Sequence, residues 1–148
     1  MNNEFGDIEL GGEPLNEWYS IEQAISRLIK DSLATPLYRR RPQNAALPCV
    51  CYEIKESTYE KYLNGSESIA KITFEYSIFS QAYDDLASIG KALRNILDTF
   101  SGLAKNRKIL QILHNSEHDE IETPDDAGQK SNYIRVQEYE VTYLENDE

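Results

Sequence analysis

Four residues near the C-terminal third have the chemistry of a metal site: His114, His118, Asp119 and Glu122. Imidazole and carboxylate groups close in space bind zinc or another divalent cation. A His-x3-His pair needs a helix to bring both rings onto one face. This stretch instead reads as a strand end running into acidic sequence, so a solvated segment is expected rather than a metal centre. Cys49 and Cys51 would place two thiols on one face of a strand. No second cysteine pair completes a zinc site, and they read as small, half-buried apolar residues. Three consecutive bases, Arg39, Arg40 and Arg41, can hold phosphate or pair with acids. In a chain of net charge −11, acids are the expected partners. No phosphate-binding glycine loop, dinucleotide fingerprint or nucleophile elbow occurs. The expectation is a protein that is not an enzyme and has no cofactor.

The elements that carry these residues follow from periodicity. Ser20 with Gln23 forms a capping box, and Tyr19 can staple to Ala24. Ile21, Ala24, Ile25, Leu28, Ile29 and Leu33 then repeat at helical spacing, ending before Pro36. Over residues 48–56 the period changes to two, with Val50, Tyr52 and Ile54 on one side. Asn64-Gly65 is a hairpin turn signal, and Ala70, Ile72, Phe74, Tyr76 and Ile78 alternate beyond it. A second helix is predicted over about 81–100, capped by Ser80, with Leu86, Ile89, Leu93, Ile96, Leu97 and Phe100 as its stripe and Gly102 as its stop. Gly90 lies on that stripe and allows close approach to the sheet.

A third strand is predicted over about 108–115 and a fourth over about 132–144. In the fourth, Ile134 and Val136 have one parity while Tyr139, Val141 and Tyr143 have the other. This predicts a bulge near Gln137 and Glu138 that keeps both groups on the buried face. Ten tyrosines against four phenylalanines suit sheet faces and subunit interfaces equally. The expected fold is α+β: a four-stranded antiparallel sheet with two helices packed on one face, in the order α-β-β-α-β-β.

Charge divides the chain. Residues 1–22 carry six acids and no base, 23–116 carry nine acids and thirteen bases, and 117–148 carry eleven acids and two bases. Residues 1–15 read as a flexible acidic N-terminal arm, and 16–148 as one α+β domain. Within that domain a long acidic loop is expected at about 116–131, holding Glu117, Asp119, Glu120, Glu122, Asp125 and Asp126. The acidity excludes a protein that grips nucleic acid over its whole surface. No apolar run reaches the ~18–20 residues of a membrane-spanning helix. Residues 1–22 show neither the basic nor the apolar part of a signal peptide, so a reducing cytoplasm and no membrane are expected.

Several segments, in order, resemble one family. Tyr38 with Pro42-Gln43-Asn44-Ala45-Ala46-Leu47-Pro48-Cys49-Val50-Cys51-Tyr52-Glu53-Ile54 is similar to the approach to the first strand in the tail-completion (tail-terminator) proteins of long-tailed bacteriophages and prophages. Ala70 to Glu75 resembles their second strand. Tyr83-Asp84-Asp85-Leu86 with Leu93 to Asp98 resembles the following helix. His118-Asp119 with Ile121-Glu122 is similar to the stretch after the third strand, and Tyr139-x-Val141-x-Tyr143 to the last. The likeness spans residues 20–144. Cys49 replaces an aromatic, and neither the run 39–41 nor the acidic arm is a family feature.

The resemblance implies a structural virion protein of the tail, assembled in the bacterial host cytoplasm. It implies a ring of copies, typically six, on the head-proximal end of the tail tube, stopping tube growth and joining tail to head. Its partners would be the tail-tube protein, the head–tail connector protein and itself, the free chain being allowed to stay monomeric. DNA would pass through without specific binding. Charge suggests where such a ring would close, with Arg39, Arg40 and Arg41 facing acids of the next subunit, and that the six acids of 117–126 face the channel. A head–tail connector or stopper protein remains an alternative. So do an acidic inhibitor-type binding module and, more remotely, a hydrolase using His114 and His118.

Overall fold

In a computed structural model of the chain, residues 20–61, 68–124, 128 and 130–145 are described. The arm over 1–15, the Tyr19 staple, Asn64-Gly65, Asp125 and Asp126 lie outside these residues. Helix α1 covers Ile21–Ser32 and begins as its sequence dictates: the Gln23 backbone N–H donates to Ser20 Oγ at 3.0 Å, and the Ser20 N–H donates to Gln23 Oε1 at 2.9 Å. Ile21, Ala24, Ile25 and Ile29 form its buried face. Helix α2, Tyr83–Leu97, buries Leu86, Ile89, Leu93 and Leu97. Ser80 caps it indirectly, accepting from the Ala82 N–H at 3.0 Å and donating to Asp85 at 2.7 Å. The chain reverses after α2 at Thr99, which takes a left-handed φ of 65°, earlier than the expected stop at Gly102.

The sheet corrects the expected fold. It has six strands, not four, and it is mixed, not antiparallel. The strands are β1 Leu37–Tyr38, β2 Cys49–Lys61, β3 Ser68–Ser80, β4 Gly102–Ala104, β5 Arg107–Glu122 and β6 Asn132–Glu145. Their spatial order is β1-β2-β3-β6-β5-β4, curled into a half-barrel, and the chain order is α-β-β-β-α-β-β-β. β1 runs parallel to β2, with Leu37 beside Val50 and Tyr38 beside Cys51. β4 returns into β5 through Lys105 and Asn106. Strands of two and three residues are too short to show a period, which is why the sequence pattern missed both.

Two further expectations change. β5 continues to Glu122, so the first half of the expected acidic loop is strand, paired with β6 from Ser116↔Glu138 to Glu122↔Asn132. Backbone pairing holds this stretch, and it needs no apolar alternation because neither of its faces is deeply covered. The bulges lie on β5, at Leu110 and Asn115, while β6 runs against β3 without a break. Tyr139, Val141 and Tyr143 therefore face the helices, and Ile134 and Val136 face the other way. Both sets are buried on β6, although the β5 residues beside Ile134 and Val136 are exposed.

The main core lies between the helices and the sheet. α2 packs on β3, β5 and β6, and α1 packs on α2 and β4. An aromatic row crosses the sheet beneath them: Tyr52 meets Phe74 and Tyr76, Tyr76 meets Tyr139 at 5.9 Å, and His114 stacks on Tyr139 at 4.9 Å. Tyr76, Tyr139 and Tyr143 are fully buried, whereas Tyr59 is exposed. The tyrosines thus serve mostly as core, each large ring contributing on the order of 2–3 kcal/mol of burial.

Candidate assembly surfaces

β5 distributes the acidic residues by parity. Glu117 and Asp119 lie opposite Gln137 and Arg135 on the helix side, while Glu120 and Glu122 lie on the reverse side, as does His118. His114 belongs to the helix side, so the two histidines do not converge. His114 stacks on Tyr139, and exposed His118 pairs with Glu120 at 2.9 Å. Among the described residues no group of three or more His, Cys, Asp or Glu side chains is placed to hold a metal ion.

Two of the expected site acids are matched by bases the sequence reading had not singled out. Arg135 donates to both oxygens of Asp119, at 2.8 and 3.1 Å, and Tyr83 Oη donates to the same carboxylate at 2.9 Å. Glu117 accepts from Gln137 Nε2 at 2.8 Å and has Arg135 and Arg94 at 3.8 and 3.9 Å. Gln137 also donates to the Gly90 carbonyl at 3.1 Å and accepts from Tyr139 Oη at 2.7 Å. This network ties β5, β6 and α2 together beneath the first turns of the helix. The one available signal was a glutamine and an arginine on the inward parity of an otherwise apolar strand.

The three arginines go to different places. Arg39 pairs with Glu22 of α1 at 3.0 Å and stands over the Tyr52 ring. Arg41 grips Glu122 with two bonds of 3.2 Å and lies 4.3 Å over the Phe79 ring. Arg40 is exposed and has no ion-pair partner among the described residues. The segment 39–48 thereby forms a strap across the reverse face of the sheet. There Cys49 and Cys51 sit opposite Phe79 and Ser77, and Phe79 lies beside Ile134. These residues form a small second apolar layer, separate from the main core.

The ion pairs set a pH dependence. Hydrogen bonds from Arg135 hold the Asp119 carboxyl below its ordinary range, and hydrogen bonds from Arg41 and Asn132 do the same to Glu122. A carboxyl whose folded pKa lies below its unfolded value stabilises the fold above the unfolded value, about 4. That contribution is lost as pH falls through the lowered folded value. Urea unfolding of the parent and of Arg135→Met at pH 7, 5, 3.5 and 2.5 should therefore show a stability gap that narrows with acid. A gap constant from pH 7 to pH 2.5 would show that the pair does not couple to folding.

What this arrangement offers is surface. Among the described residues, β2 beyond its two residues beside β1 has no further strand partner on that edge, and β5 has none beyond His114, before which the Thr99 N–H donates to the Ile112 carbonyl and the His114 N–H to Asp98. Large apolar side chains flank the second: Leu103 is 70% exposed and Ile121 62%.

No protein-family model matches the sequence. No curated protein matches it either. Among solved structures, the chain is similar to one from the virion of a native gene transfer agent (GTA) particle, with a TM-score of 0.63 at 9% identity. The match covers 84% of this chain and 95% of that one. At such identity the likeness is one of fold.

Proposed function

We propose that this chain is a structural virion protein that completes the tail, assembling as a ring on the head-proximal end of the tail tube, ending tube growth and joining tail to head. The observation that carries the reading is the fold match to a virion chain over 95% of that chain's length, so the shared part is nearly all of the neighbour. The ordered sequence likeness to tail-completion proteins points the same way. A closed ring needs two different complementary patches on each copy, and the unlike open edges of β2 and β5 supply such a pair.

The charges refine the roles given to individual residues. Arg39 and Arg41 are engaged within the chain, so of the three arginines Arg40 is the one left to meet acids of a neighbouring copy. Of the expected channel-facing acids, Glu117, Asp119 and Glu122 have cationic partners on the same chain, and Glu120 pairs with His118. DNA passing such a ring would meet modest negative charge and no binding site. The role is architectural, with tail-tube protein on one side and connector protein on the other, and no reaction is assigned.

Deleting the gene and imaging the particles tests this. Tails of abnormal length, or finished tails without heads beside full heads, are expected. Normal tails would overturn the reading, and normal tails beside leaking heads would move the protein to the connector.

A further inference from the structure

Six large apolar side chains are exposed among the described residues, and five of them gather in two groups along β5. Single exposed apolar residues are ordinary, whereas groups of them mark contact surfaces. The first group is Leu103, Leu110 and Leu113, at 70, 37 and 40% exposure. Leu103 lies opposite Lys108 in the β4–β5 pair, Leu110 occupies the first bulge, and Leu113 lies opposite half-buried Glu140 on the reverse face. The second group is Ile121 and Tyr83, at 62 and 49%. Ile121 lies opposite Tyr133, whose ring meets that of Tyr83 at 5.7 Å on the helix side. The exposed charges beside the groups are opposite in sign: Lys108 stands by Leu103, and Asp84 follows Tyr83. Neither has an ion-pair partner among the described residues.

We propose that copies of this chain join head to tail, the Leu103–Leu110–Leu113 group of one covering the Tyr83–Ile121 group of the next, with Lys108 set against Asp84. One copy cannot close the two groups on itself. Leu113 and Ile121 stand about 27 Å apart along the strand and on opposite faces of the sheet. Charge decides how two copies meet. Joining like groups would set Lys108 against Lys108, or Asp84 against Asp84, whereas joining unlike groups pairs the lysine with the aspartate. A contact between unlike patches is heterologous, the kind from which rings are built. The inference rests on the ring reading and assigns its contact to these side chains, ahead of the strand edges.

Cysteine capture tests this. Ser101→Cys and Ala82→Cys chains carry different tags and keep both apolar groups whole; each site is exposed and adjoins one group. The two chains are mixed and oxidised with a thiol-disulfide reagent, the native Cys49 and Cys51 being buried. Thermal melts confirm that each variant is folded. The mixed disulfide is expected at about tenfold its random proportion relative to the two symmetric ones. Lys108→Glu on the Ser101→Cys chain should lower that excess about fivefold, and Asp84→Lys added to the Ala82→Cys chain should restore it. Random proportions, or an excess of either symmetric disulfide, would overturn the proposal. So would preferential capture of Ser116→Cys by Ser57→Cys in place of that pair, which would give the contact to the edges of β2 and β5. The tail role is tested separately by gene deletion, so failure of this contact and failure of that role are read in different experiments.

Discussion

Replacing Gln137 with alanine is expected to lower the unfolding free energy by about 3 kcal/mol, read as a shift in urea midpoint at unchanged slope. Gln137 is fully buried and serves three partners at once. Its loss strands the hydroxyl of Tyr139, itself fully buried, which alone costs about 1–3 kcal/mol, and leaves a void beneath α2 that the sheet cannot collapse to fill. The Gly90 carbonyl suffers less because it already sits in a helix. Tyr139→Phe removes the same hydrogen bond from its other end. The double variant should then be clearly less destabilised than the sum of the singles, since the hydroxyl is stranded only when Tyr139 remains. Gly90 adds a sign test. A Cβ there would lie 3.0 Å from Gln137 Nε2. Gly90→Ala should destabilise the parent, yet stabilise Gln137→Ala by up to about 1 kcal/mol through helix propensity. Additive effects throughout would show that the network is not a unit.

What the sequence allowed to be read, and what it hid, divides along one physical line. α1 was legible because capping and periodicity are local: Ser20, Gln23 and the stripe from Ile21 to Ile29 lie within ten residues. The hairpin strands were legible for the same reason, since alternation in β3 runs unbroken from Ser68 to Ser80. The rest depends on pairing between distant segments. β1 exists only because Leu37 and Tyr38 lie beside Val50 and Cys51. The outer half of β5 has no apolar alternation to reveal it, being held by its register with β6. The change of parity in β6 was visible, but it came from a strand buried on both faces, not from a bulge. The acids of the candidate surface stood out as a run. Their partners did not, because Arg135 finds Asp119, and Arg41 finds Glu122, only through the folded register.

The strap over the reverse face makes the second large prediction. At pH 8 Cys51 should react with a thiol-disulfide reagent about a thousandfold more slowly than an ordinary exposed thiol, because the thiolate is the reacting species. Burial is the main cause: it lifts the Cys51 thiol from its ordinary 9.0 to about 12, helped by the neighbouring Cys49 with which it shares a hydrogen bond. Cys49 is pushed up as well, also by burial. Arg41 acts in two opposite ways here. Its charge favours the thiolates, yet its grip on Glu122 and its place over Phe79 hold segment 39–48 across them. Arg41→Ala therefore separates covering from charge. If covering dominates, labelling of both cysteines should accelerate by about 10- to 100-fold as the strap opens locally. If charge dominates, labelling should slow. Exposed apolar neighbours would accompany the first outcome, because Phe79 and Ile134 lie under the same strap. Slowed labelling in Arg41→Ala would mean that the strap is held by other contacts and that Arg41 acts on the thiols through its charge, and unchanged labelling that it does neither.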